Sequence, residues 1–320
     1  MEFSHKSVLL GEVIELMGIM PDGTYVDGTL GGAGHSFEIA RRLSPAGHLI
    51  GIDRDDDALD YSGERLKGLS PTIDIIKASF EDIPMLLETL KIPKVNGILL
   101  DLGVSSFQLD EEERGFSYMQ DEAPLDMRMD RSQGFCAKDV VNGYSRQDLA
   151  KVIRKYGEDR FADNIAKHIE KYREKKPVET CGELARIVKQ SIPMKIQKTT
   201  RHPEKRTFQA IRIEVNRELE QLERSIGPFI DLLEDDGRLC IITFHSLEDR
   251  IVKKAFREYE NPCICPPDFP VCVCGRKSKG KALKSVTPSE EEVRENNRSH
   301  SARLRVFVKG KKGEGYGHTK

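Results

Sequence analysis

The chain has 320 residues, enough for a full α/β core and a second, smaller module. Its 51 basic residues nearly balance 53 acidic ones, so no global charge excess announces a nucleic-acid partner and any such signal must be local. Met1 to Leu16 lacks a basic start followed by an unbroken apolar run, and no stretch of ~18 consecutive apolar residues occurs, so a soluble, unexported, cytoplasmic protein is expected.

Along the chain, Thr24 to Leu30 reads as a first strand, Ser36 to Leu43 as a helix and His48 to Asp53 as a second strand. Thr72 to Ala78 then reads as a third strand, Pro84 to Leu90 as a helix and Gly97 to Leu102 as a fourth strand. This alternation is the pattern of a parallel sheet with helices on both faces. The next strong strand, Arg238 to Phe244, follows only after roughly 130 residues, far more than a crossover needs, so something is inserted. Within the gap, Ser145 with Asp148 and Thr180 with Glu183 stand at capping-box spacing, which makes the insert helical. Phe208 to Ile226 places Ile211, Val215, Leu219 and Leu222 at helical spacing and is expected to return the chain to the sheet as a single helix. Leu247 to Tyr259 reads as a further helix and Arg303 to Val308 as a last strand. The expected fold is α/β, a doubly wound Rossmann-like sheet built from 1–110 and 207–320, with a mostly helical domain inserted at 111–206.

Between the first strand and its helix runs Asp27-Gly-Thr-Leu-Gly-Gly-Ala-Gly-His35, where a doubly wound fold brings backbone close to a ligand. Gly31, Gly32 and Gly34 permit that approach. Asp53 ends the second strand, where a carboxylate can accept hydrogen bonds from both ribose hydroxyls of an adenosine. The glycines do not make the G-x-G-x-x-G spacing that seats a pyrophosphate, which argues against a nicotinamide oxidoreductase and for a ligand without phosphates, such as S-adenosylmethionine. A glycine turn that merely packs a helix on a strand is the plainer reading.

The segment Asn96-Gly-Ile-Leu-Leu-Asp-Leu-Gly-Val-Ser-Ser-Phe-Gln-Leu-Asp110 closely resembles the bacterial 16S rRNA (cytosine-N4)-methyltransferases of the H type, the RsmH/MraW family. Similar family segments are Asp27 to Ser36, Glu113-Arg-Gly-Phe-Ser117, Pro124-Leu-Asp-Met-Arg-Met-Asp130, Arg206-Thr-Phe-Gln-Ala-Ile-Arg212, Phe244-His-Ser-Leu-Glu-Asp-Arg250 and Ser301 to Val306, in order from end to end. The resemblance implies a class I methyltransferase sheet, S-adenosylmethionine as cofactor, and a cytosine in the decoding region of 16S rRNA, within the small ribosomal subunit or its precursor, as substrate. It places the cofactor contacts on Ala33, Gly34, His35, Asp53, Phe80, Asp101 and Gln108. It leaves a homodimer open. A ribosome-assembly factor that kept the fold and the pocket without the activity is the competing reading.

Transfer to a cytosine amino group needs oxygen acceptors for its hydrogens beside the methyl, because the nitrogen lone pair is otherwise delocalised into the ring. Asp101 is the first choice for that role, with Asp126 of the Asp-Met-Arg-Met-Asp stretch and His245 after the fifth strand behind it. The plainer reading of the Asp-Met-Arg-Met-Asp stretch is a solvated loop held by its own ion pairs. Carbon-5 methylation would need a cysteine nucleophile, and none follows the fourth strand. Lys195, Lys198, Arg201, Lys205 and Arg206 crowd into one basic stretch suited to phosphate contacts, and Arg276, Lys277, Lys279, Lys281 and Lys284 into another; solvated loops would look the same. Cys263-Ile-Cys265 and Cys272-Val-Cys274 form two C-x-C units. The usual zinc spacing is C-x2-C, and no metal is expected.

Overall fold

The computed structural model describes residues 7–200, 202–266 and 273–311, and these divide into two compact units. The first comprises the chain up to Gly103 and from Leu219 onward, the second Val104–Glu218. The divisions fall earlier and later, respectively, than the expected 110/111 and 206/207.

The first unit is built on a seven-stranded sheet of order β3-β2-β1-β4-β5-β7-β6. Its strands are β1 (Thr24–Asp27), β2 (His48–Asp53), β3 (Thr72–Lys77), β4 (Val95–Asp101), β5 (Leu233–Thr243), β6 (Gly280–Ala282) and β7 (Arg303–Lys309). The first five run parallel, and β7 pairs antiparallel with both β5 and β6. Its helices are α1 (Leu10–Met17), α2 (Gly34–Ala40), α3 (Asp56–Leu66) and α4 (Ile83–Thr89), and, later in the chain, α12 (Glu218–Leu232), α13 (Ser246–Glu260) and α14 (Glu290–Glu295). The helices between α4 and α12 belong to the second unit. Alternation along the strands feeds two cores, since successive side chains point to opposite faces. Val26, Ile50, Ile98, Leu100 and Ile241 pack with α4, α12 and α13, whereas Tyr25, Leu49, Leu99, Cys240 and Ile242 pack with α1, α2 and α3. Each fully buried side chain contributes about 1.5–3 kcal/mol, and both faces are covered, as a parallel sheet requires.

The second unit holds α5 (Ser106–Asp110), α6 (Ala137–Gly143), α7 (Arg146–Gly157), α8 (Ala162–Arg173), α9 (Cys181–Gln190), α10 (Met194–Gln197) and α11 (Lys205–Asn216) around its own core. Ser145 and Thr180 cap α7 and α9 by accepting the amide hydrogens of Asp148 and Glu183. The single helix expected over Phe208 to Ile226 is instead two. Arg217 turns left-handed at φ 53, while Arg212 closes a two-pronged ion pair on Glu218, with both N···O distances 2.9 Å. Phe208, Ile211 and Val215 of α11 therefore belong to the core of the insert, whereas Leu222 and Ile226 of α12 pack beneath the sheet. An amphipathic period runs through both helices without marking the break, which explains why the expected boundary fell early.

Candidate functional site

Strands β2, β1 and β4 are neighbours, and each ends in an aspartate at the carboxyl edge of the sheet: Asp53, Asp27 and Asp101. Adjacent parallel strands lie about 4.8 Å apart, so three carboxyls are crowded into one row. Burial is the main cause that raises all three above the ordinary carboxylate range. Asp27 rises to about 6, with the charge of Asp53 adding to the shift. Asp101 rises to about 8, with Asp27 and Glu248 adding to it. An edge of this kind disfavours a phosphate and favours a cation.

Asp27 is tied down: Ser36 Oγ donates to its Oδ2 at 2.7 Å and the Thr29 amide to its Oδ1 at 3.1 Å. Asp53 accepts the Gly31 amide on Oδ2 at 2.8 Å and the Asp55 amide on Oδ1 at 3.0 Å. Each Asp53 oxygen keeps a lone pair beyond these bonds. Asp101 is different. Its amide donates to Thr29 Oγ1 at 2.6 Å, but Oδ1 is buried and has no hydrogen-bond partner among the described residues.

The turn before α2 brings backbone to this row. Gly31 has φ 49 and Ala33, buried, φ 53, so both sit in the left-handed region that costs an alanine roughly 1–2 kcal/mol. At Gly34 a Cβ would lie 1.8 Å from Ser7 Oγ, so the serine hydroxyl would have to rotate away from any larger residue there. His35 follows, buried, with Nε2 3.0 Å from the Val8 carbonyl oxygen. A carbonyl can only accept, so Nε2 carries the hydrogen and Nδ1 presents its lone pair to Asp101 Oδ2, 3.7 Å away. Burial depresses the imidazole to about 4 and keeps it neutral at physiological pH.

Phe80 lies in the core between the sheet and α4, only 6% exposed, and its Cβ would be 3.1 Å from a Cβ at Gly28. His245 caps α13: Nδ1 accepts the Glu248 amide at 3.4 Å, and Nε2 lies 3.0 Å from Glu248 Oε1. Glu248 is buried and accepts the Phe244 amide at 2.7 Å and the His245 amide at 3.2 Å. His245 shapes the end of β5 through Nδ1, its buried Nε2 has no hydrogen-bond partner among the described residues, and Glu248 beside it is the acid that acts on Asp101.

Two expected site residues lie on the second unit. Gln108 is buried and closes the capping box of α5, its Oε1 accepting the Ser105 amide at 3.0 Å. Asp126 has both oxygens on the Arg128 guanidinium, at 2.8 and 2.7 Å. Arg128 holds the Asp126 carboxyl below its usual range against burial, a poor setting for a proton acceptor. The Asp-Met-Arg-Met-Asp stretch is not a solvated loop: Met127 and Met129 are buried, Asn216 bridges the Met127 carbonyl and the Met129 amide, and Arg114 donates to the Arg128 and Met129 carbonyls.

In the basic stretch, Lys195, Lys198 and Lys205 are exposed and make no ion pair among the described residues, Arg206 donates to the Glu158 carbonyl at 3.3 Å, and Arg201 lies outside the described residues. The second stretch is partly committed, with Lys279 paired to Asp231 at 2.6 Å and set over the Tyr259 ring. Sequence reasoning missed Asp27 and Glu248. Asp27 stood in the quoted turn, and a reading of all strand-terminal acids would have found it. Glu248 sits three residues after His245, a box-like spacing that would have flagged it.

S-adenosylmethionine fits these residues: a row of carboxyls for a cationic ligand, a glycine turn of close backbone approach, and a buried acceptor with no partner. When bound it supplies an electrophilic methyl group on a positively charged sulfur.

Comparison with known proteins agrees. The chain is 58% identical over 311 residues to "Ribosomal RNA small subunit methyltransferase H 2" of Agathobacter rectalis, covering 97% of this chain and 99% of that protein. It is 60% identical over 309 residues to "Ribosomal RNA small subunit methyltransferase H" of Lachnospira eligens (96% and 98% covered) and 54% identical over 311 residues to the protein of that name in Clostridium botulinum strain Loch Maree (97% and 100%). The MraW methylase family profile matches residues 2–310, so the chain belongs to the MraW methylase family, with S-adenosylmethionine as its methyl donor.

Proposed function

We propose that the chain transfers a methyl group from S-adenosylmethionine to the exocyclic N4 of a cytosine in the decoding region of 16S rRNA, within the small ribosomal subunit or its precursor. The observation that carries the reading is Asp101: a carboxyl at the end of a central strand, side chain 27% exposed, with one oxygen buried and unpartnered and the other facing a neutral imidazole nitrogen. In this reading the Asp101 carboxylate accepts a hydrogen of the cytosine amino group, which returns lone-pair density to N4 for in-line attack. His35, neutral, adds no positive charge beside the carboxyl and leaves its acceptor role to the burial and the acids around it. Asp53 binds the ribose hydroxyls through its remaining lone pairs, and the turn of Gly31, Ala33 and Gly34 lies against the ligand. Phe80 completes the cofactor contacts of this unit, and the Gln108 side-chain oxygen is taken by the Ser105 amide.

The two buried cysteines support amino methylation over carbon-5 chemistry. Cys240 in β5 and Cys181 in the insert are buried, and burial pushes each thiol up to about 12, far from a nucleophilic thiolate. Lys195, Lys198, Arg201, Lys205 and Arg206 supply phosphate contacts that position the RNA without reading its sequence.

The test is methylation of immature small subunits with labelled S-adenosylmethionine, followed by nucleoside mass spectrometry. The expected product is N4-methylcytidine, lost with Asp101→Ala. Recovery of 5-methylcytidine, or of a denaturation-resistant protein–RNA adduct, would overturn the chemistry, and no methyl incorporation at all would favour a non-catalytic assembly role.

A further inference from the structure

The loop between α13 and β6 carries a feature that the methyl-transfer site does not use. Cys263, Cys265 and Cys274 are separated by up to eleven positions in sequence, yet their three sulfurs all lie within 4.8 Å of one another. The Cys263 and Cys274 sulfurs are 4.0 Å apart, and the Val273 amide points at the Cys265 sulfur at 3.3 Å. Thiolates bound to one tetrahedral zinc at Zn–S ≈ 2.3 Å stand about 3.8 Å from each other, close to the separation seen. We propose that Cys263, Cys265 and Cys274 bind a zinc ion that fixes this loop, against the expectation drawn from the C-x-C spacing that no metal is bound. Cys272 lies outside the described residues.

The loop needs such a clasp. Its two ends are joined where the Lys279 amide donates to the Tyr259 carbonyl at 2.9 Å. Between them, none of the described residues 261–266 and 273–279 is buried, and Ile264 and Val273 stand 65% and 72% exposed. Among these described residues no buried side chain orders the segment, so they supply little apolar burial to balance its conformational entropy. A metal is the usual substitute, because its binding free energy adds directly to the order of the segment. Three convergent thiols are also more than a disulfide uses. Each thiol gives up its proton to the solvent as it binds, so three protons leave per ion and binding weakens as pH falls. The clasped loop holds the exposed Arg276 and Lys277 beside the cluster, where a fixed backbone presents them to an anionic surface.

The test uses the full chain, purified with reductant, and the metal alone. Elemental analysis should find about one zinc per chain. Cobalt(II) added to the metal-stripped protein should give thiolate-to-metal charge-transfer absorption and the intense visible bands of tetrahedral coordination. Cys263→Ser, Cys265→Ser and Cys274→Ser should each weaken zinc binding at least tenfold in competition with a chromophoric chelator, while Cys136→Ser, in the other unit, should leave it unchanged. The wild-type cobalt spectrum stands without any variant, so a misfolded mutant does not shield the proposal. It is overturned if stripped wild-type protein gives no charge-transfer band, if the three serine variants bind zinc as tightly as wild type, or if mass spectrometry finds Cys263 and Cys274 joined as a disulfide under reductant.

Discussion

Replacing Asp101 by asparagine keeps the shape of the side chain and removes its titration. Burial, with Asp27 and Glu248 adding to it, raises the wild-type carboxyl from 3.8 to about 8. Between those values the native state holds a proton that the unfolded chain has already released, so wild-type stability falls as pH rises through the window, by ~1.4 kcal/mol per pH unit. Below the window both states are protonated, and above it both are ionised and the loss is constant. Asparagine has no such proton. In ligand-free protein, the stability of Asp101→Asn relative to wild type should therefore climb by up to roughly 3–4 kcal/mol from about pH 5 to about pH 8, with water at Oδ2 screening part of it. Asp27 and His35 titrate in the same range but are present in both proteins, and to first order they cancel. Denaturant midpoints at a series of pH values measure the difference, provided the slopes match. A difference that stays flat with pH would falsify the account of a buried, proton-holding carboxyl. The same variant should lose methyl transfer, because its amide cannot offer a charged acceptor.

Asp53→Ala should weaken S-adenosylhomocysteine binding by roughly 1.5–3 kcal/mol in calorimetry, the worth of hydrogen bonds to a charged group, and unchanged affinity would remove Asp53 from the site. Replacing Lys195, Lys198 and Lys205 together by glutamine should lower the log–log salt slope of RNA binding by about 2, since each phosphate contact adds ~0.7–0.9; an identical slope would return the stretch to ordinary solvated surface. Gly115→Ala places a Cβ at φ 67 and 2.0 Å from the Pro124 carbonyl oxygen, so urea unfolding should show a loss of more than about 2 kcal/mol, and a loss under about 1 kcal/mol would contradict the tightness of that turn.

Much of the sheet was legible because a parallel strand buried on both faces announces itself as an apolar run ending in a polar residue: His48 to Asp53 needs no more than that, and the strand expected over Gly97 to Leu102 differs from Val95–Asp101 only at its ends. β6 was not legible, since Gly280–Ala282 has three residues and its pairing with β7 comes from tertiary placement. α3 was missed because Asp56, Asp57, Asp60 and Glu64 make it read as a polar connection, although Asp55 caps it and Leu66 anchors it. The site divides in the same way. Positions of Asp53 and Asp101 follow from strand ends, whereas the orientation of His35 depends on the Val8 carbonyl, far off in sequence, and the tie of Asp126 to Arg128 depends on a left-handed Met127 at φ 60 that no composition signals. Convergence of the three cysteines likewise depends on how α13 and β6 bring the two ends of their loop together.

The row of strand-end acids also bears on how ligand and substrate are kept apart. A carboxyl held protonated by burial, with neighbouring acids adding to it, costs the empty protein little charge, yet it ionises readily when a positive centre arrives, because attraction to a cation then offsets the burial that raised its pKa. In the proposed reaction this would make Asp101 a competent acceptor only when the sulfonium ligand is in place, so an amino group reaching the site first would meet a neutral acid and not a carboxylate. Burial sets most of that threshold, and Asp27 and Glu248, neither of which need touch a ligand, raise it further through their charge. Glu248→Gln should accordingly lower the Asp101 pKa and shift the alkaline-rising limb of kcat/KM to lower pH while leaving the N4 product unchanged, and a limb that stays in place would show that the charge at the end of β5 has no part in tuning the acceptor.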